Sequence, residues 1–89
     1  MTKYYCKGAI VKTIAGRDSD DLFMIVRVDN NFAYLSNGKS RPLESPKKKN
    51  LKHLHLLCKS EFTGLDLENI TNAQLIKYLK DYYKSRDYK

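Results

Sequence analysis

Apolar and polar positions along the chain change their period once. From residue 8 to residue 57 they alternate in short runs broken by turn residues, which predicts strands. "AIVKTI" (9–14) is β-branched and stops at the polar turn "AGRDSDD". "FMIVRVD" (23–29) is the strongest strand signal, and Asn30-Asn31 after it suits a tight hairpin, because asparagine tolerates the left-handed backbone. "FAYLS" (32–36) is the returning partner. It ends in Asn37-Gly38, a second hairpin signal, so "KSRPL" (39–43) is predicted as the fourth strand, with Pro42 holding it to a sheet edge. "LHLLC" (54–58) makes a fifth. Five short strands at this spacing predict a small, closed or nearly closed barrel.

The tail switches to a helical period. Leu75, Leu79 and Tyr82 recur at i, i+4 and i+7, and Ile76, Tyr78 and Tyr83 widen the stripe. Thr71 with Gln74 forms a capping box, and Ile70 can staple onto Leu75, so the helix is expected from 72 to about 84. One domain results: a barrel over 1–60, then a linker and packed helix over 61–89.

Alternation also assigns faces. With Met24, Val26 and Val28 pointing inward, Phe23, Ile25 and Arg27 point outward. On the partner strand Ala33 and Leu35 then join the core, leaving Phe32 and Tyr34 outside. That aromatic pair could stack RNA bases, but the expected cover is the C-terminal helix, using Leu75, Leu79 and Tyr82, since an open apolar patch is a liability.

Charge sharpens the picture. The 89 residues carry a net charge of +7, all of it in the first two thirds: twelve Lys and Arg against five acids in 1–60, five of each in 61–89. Residues 39–52 alone supply +5. Such asymmetry serves a polyanion. In "SPKKKNLKHLH" (45–55), Pro46 and Asn50 bracket what reads as a short constrained loop projecting Lys47, Lys48 and Lys49. No run of about 18 apolar residues and no leader pattern is present, and Cys6 and Cys58 fit reduced thiols, so a cytoplasmic protein is expected.

Together "AGRDSDDLFMIV", "SNGKSRPLESPKKKNLKHL" and "ITNAQLIKYL" resemble the small bacterial KOW-domain RNA-binding proteins. Those are similar to the KOW-type proteins of the archaeal and eukaryotic large ribosomal subunit. Gly8, Val11, Gly16, Val26 and Val28 fit the KOW motif itself, and the resemblance spans 8 to about 83. It implies an SH3-like barrel, RNA binding and a tie to translation, with ribosomal RNA as partner and ribosomal proteins as further contacts.

The expected RNA-binding residues are Arg17, Lys39, Arg41, Lys47, Lys48, Lys49, Lys52 and His53. Ammonium groups release counterions from phosphates, and guanidinium groups grip phosphate in a bidentate manner or stack on bases. Arg17 could equally pair with Asp18. A membrane surface is another polyanion, but none is expected as partner. His53, His55 and Cys58 match no standard zinc spacing, and Asp18, Asp20 and Asp21 lack the rest of a calcium loop, so neither metal nor cofactor is expected. His55 reads as a barrel position. No nucleophile elbow, phosphate loop or histidine–carboxylate pairing points to catalysis, so the chain reads as a non-enzyme. The rival reading is a KOW module that contacts protein, with the neutral helix and Tyr82, Tyr83 and Tyr88 as its surface.

Overall fold

A computed structural model describes residues 5–13, 22–58 and 68–87. The expected Arg17 site and its aspartate-rich loop lie outside them, as do Gly16 and Tyr88. The described chain is mainly β, a five-stranded antiparallel sheet with one C-terminal helix. Its strands are β1 (Ile10–Thr13), β2 (Leu22–Asp29), β3 (Phe32–Ser36), β4 (Lys47–Asn50) and β5 (Leu54–Cys58), in the order β4-β3-β2-β1-β5. The helix α1 runs Asn72–Asp87.

The β2–β3 hairpin forms where the asparagines placed it, with Asn30 at φ 56°. The second hairpin does not. Asn37-Gly38 opens an irregular segment instead of a two-residue turn, residues 39–43 form no strand, and the strand that returns beside β3 is the lysine run itself. Gly38 has positive φ, at 79°, but Asn37 is drawn into a longer turn through Arg41, whose amide donates to Asn37 Oδ1 and whose carbonyl accepts from the Asn37 amide.

Strand β4 and strand β5 are opposite edges of the sheet, yet only the 3-10 turn Leu51–His53 separates them in the chain. Four residue steps reach about 14 Å at most. A flat sheet would hold its outer strands about 19 Å apart, four spacings of about 4.8 Å. The sheet must therefore curl, and its concave face gathers Ala9, Val11, Phe23, Ile25, Ala33, Leu35, Leu51 and Leu54 into one core, although β4 and β5 do not pair and the sheet is not closed. Asn50 caps the turn by accepting from the Lys52 amide at 3.0 Å, and the Leu51 amide donates to the Asn31 carbonyl at 2.8 Å.

Among the described residues, α1 covers one end of the convex face. Leu75 and Leu79 of α1 pack on Ile10 and Met24, with Ile70, Tyr78 and Tyr82 around them. The capping box is present: Gln74 Oε1 accepts from the Thr71 amide at 3.0 Å, and Thr71 Oγ1 accepts from the Gln74 amide at 3.2 Å. The Tyr82 hydroxyl donates to the Leu57 carbonyl at 3.2 Å, which fastens the helix to β5.

This packing reverses the expected faces. Phe23 and Ile25 lie in the concave core, and it is Met24 that the helix covers. A register shift between Ile25 and Arg27 then returns Val28 to the concave side, opposite Ala33. Simple alternation cannot follow a strand that is buried on both faces and interrupted by a bulge.

Candidate nucleic-acid interface

The expected cations gather along the β3–β4 side of the sheet. Lys39 and Arg41 sit on a tight turn at the C-terminal end of β3; Lys47, Lys48 and Lys49 make β4; Lys52 and His53 follow in the 3-10 turn at the opposite end. Lys39, Arg41, Lys48, Lys52 and His53 are exposed, while Lys47 and Lys49 are half-buried. Between Asn30 and Ser60 the sequence has one acid, Glu44. A strand of four residues is about 14 Å long, a length that spans several successive phosphates.

The turn that carries Lys39 and Arg41 is unusually well bonded. Asn37 Oδ1 accepts from the amides of Lys39 (2.9 Å) and Arg41 (3.0 Å), and Asn37 Nδ2 donates to Ser40 Oγ at 3.1 Å. The Arg41 carbonyl accepts from the Asn37 amide at 3.0 Å and from the buried Ser36 hydroxyl at 2.7 Å. Both cationic side chains therefore leave a rigid base. The following segment is tied to the helix by Asn72, whose Oδ1 accepts from the Leu43 amide at 2.8 Å and whose Nδ2 donates to Glu44 Oε1 at 3.0 Å.

The Asn72 contact, with a backbone hydrogen bond beside it, holds the Glu44 carboxyl below its usual pKa. A carboxyl lowered on folding adds stability above its unfolded pKa and loses it as pH falls through the lower folded value. Urea melts of Asn72→Ala should show a loss of stability at neutral pH, as the hydrogen bonds to the Leu43 amide and Glu44 disappear. The difference from wild type should shrink on acidification through that range.

Strand geometry splits the lysine run, which had read as a loop with three lysines projecting together. Lys48 lies opposite Tyr34, whereas Lys47 and Lys49 lie opposite Leu35 and Ala33, whose side chains are in the concave core. Half-buried lysines at such an edge lay their methylenes along apolar surface and keep the ammonium in water.

Lys48 instead joins a set of residues that the sequence ranked low. Phe32 and Tyr34 stand on the convex face, and the helix does not cover them as expected: Phe32 is 36% exposed and Tyr34 half-buried. The Lys48 ammonium lies 4.6 Å from the Phe32 ring centroid, and the Arg27 guanidinium lies 4.9 Å from that of Tyr34. Arg27 also faces the Asp29 carboxylate at 3.7 Å. Arg27 was no candidate at all; its outward alternation beside two outward aromatics was the available signal.

His55 is in β5 as expected, but exposed, opposite Lys12 of β1. Among the described residues no three His, Cys, Asp or Glu side chains cluster, and no helix is long and apolar enough to cross a membrane. A cavity of about 340 Å³ lies between the Lys39 turn and α1, lined by Leu22, Asn37, Lys39, Ile76, Lys80 and Tyr83 among others.

No protein-family model matches the chain, and neither does any curated protein.

Proposed function

We propose that the chain is a non-catalytic RNA-binding protein with an SH3-like barrel of the KOW type, docking on ribosomal RNA. The observation that carries this reading is the line of cations on the β3–β4 side, from Lys39 and Arg41 through β4 to Lys52 and His53. Its only nearby acid in sequence, Glu44, is held by the helix. The strand order and the curl of the sheet support the barrel, and the resemblance in sequence supports the ribosomal partner. Binding is electrostatic, and the fit to a folded RNA surface supplies selectivity. Five phosphate contacts on a single-stranded segment give a log–log salt slope of about −3.5.

The second reading, a protein-contact module, is favoured by Tyr83, which is 59% exposed beside the cavity at the helix. Deleting the helix would not separate the two readings, because Leu75 and Leu79 are core residues. Sedimentation of cell lysate at low and high salt does. Under the RNA reading the wild type travels with ribosomal particles at low salt and leaves them at high salt, and Tyr83→Ala travels with it. Co-sedimentation that resists salt but is lost in Tyr83→Ala supports protein contact instead, and a chain that stays at the top in low salt defeats the ribosomal assignment.

A further inference from the structure

Phe32 and Tyr34 alternate with core residues on β3, so their side chains rise from one face of the strand about 7 Å apart. Each carries a cation on its ring, Lys48 on Phe32 and Arg27 on Tyr34. The same convex face is covered by α1 at Met24 and Ile10, whereas at this end Phe32 is exposed and Tyr34 half-buried. An exposed phenylalanine beside two exposed cations, on a protein with seven excess positive charges, is poorly explained as packing. It matches the chemistry of a nucleobase, which offers a flat π surface next to a phosphate.

We propose that Phe32 and Tyr34 form a stacking platform for unpaired RNA nucleotides, a conclusion that rests on the RNA-binding reading above. A base stacks on Phe32 as the Lys48 ammonium moves from the ring to the neighbouring phosphate. Arg27, held between Tyr34 and Asp29, offers its guanidinium plane to a second base. Asp29 also sets a limit: it neutralises Arg27, so this end of the platform contributes surface more than net charge. The lysines of the edge then guide the backbone, while the aromatics select single-stranded over paired segments.

The test is fluorescence anisotropy over a range of salt with a single-stranded RNA of about eight nucleotides, and with the same strand paired to its complement. Phe32→Thr, which keeps a strand-forming residue at an exposed position, should weaken single-strand binding about tenfold, within the range expected for one stacked base. Its salt slope should not change, its duplex affinity should stay at the wild-type level, and Phe32→Tyr should bind as wild type. Lys48→Gln should do the opposite, flattening the slope by about 0.7. A fluorescent purine analogue in the single strand gives a reading without any variant, since stacking on wild-type protein quenches it.

Unquenched emission, or wild-type affinity in Phe32→Thr, overturns the platform while leaving electrostatic RNA binding in place. A wild type that binds neither RNA overturns both.

Discussion

Changing Lys47, Lys48 and Lys49 together to Glu should lower affinity for RNA by about 100-fold or more while the protein stays folded and keeps the wild type's oligomeric state. At about 1 kcal/mol per ammonium–phosphate contact in water, losing three contacts alone costs about 3 kcal/mol, and reversing the charges adds repulsion. The log–log salt slope should fall by about 2 as the same three contacts disappear. The reason for choosing glutamate lies in the fold. These lysines form an edge strand, and charged edge strands also keep sheets from pairing with one another. An edge guard works with either sign of charge, whereas attraction to phosphate works with one. If the lysines served only as a guard, the triple variant would bind RNA as the wild type does and also keep its oligomeric state. Anisotropy titration with size-exclusion chromatography on the same samples separates the two roles. Fold loss is not expected, because glutamate is close in length and none of the three side chains is fully buried.

What could be read in the sequence was whatever is decided locally. The capping box of α1 involves residues three apart and formed as written, and the helix ran only a turn further than its stripe suggested. The Asn30-Asn31 hairpin depends on one backbone preference and also formed. What could not be read was decided by distant partners. "KKKN" has poor strand propensity; it becomes β4 because β3 has an open edge for it to pair with. "KSRPL" looked like the better strand, but Asn37 and the buried Ser36 hydroxyl draw it into a turn, and the helix N-terminus then holds its far end through Asn72. The candidate site followed the same division. That the excess charge is concentrated in residues 39–52 was legible from the sequence alone. That Lys48 parts from its neighbours to meet Phe32 needed the strand assignment, and that Tyr34 meets Arg27 needed the bulge in β2.

Gly38→Ala should be the most destabilising single change on the site side of the molecule, lowering the melting temperature by about 10–40 °C. Two separate costs add. Gly38 has φ 79°, where a residue with a Cβ is strained by about 1–2 kcal/mol. The Cβ would also meet the Asn72 carbonyl oxygen at 2.7 Å and Ile76 Cγ1 at 2.8 Å, and forcing atoms into a packed contact costs about 1–3 kcal/mol. At 4–8 °C per kcal/mol for a domain of about this size, the sum of about 2–5 kcal/mol gives that range. The two costs can be told apart. Gly38→Asn relieves much of the first but none of the second, so it should fall between wild type and alanine. Adding Ile76→Ala to Gly38→Ala should recover only part of the loss, because the Asn72 oxygen belongs to the helix backbone and cannot be trimmed. Asn30→Gly is the control: its φ of 56° is also positive, and glycine adopts it without strain, so the melting temperature should hardly move. The consequence for function follows from position. Gly38 is where the turn bearing Lys39 and Arg41 touches the first turn of α1, so pushing the two apart frees that end of the cationic line. Below its melting point Gly38→Ala should then bind RNA more weakly than wild type although every charge is present. A melting temperature unchanged by Gly38→Ala would mean that the helix does not rest on the turn, and the rigid base assigned to Lys39 and Arg41 would fall with it.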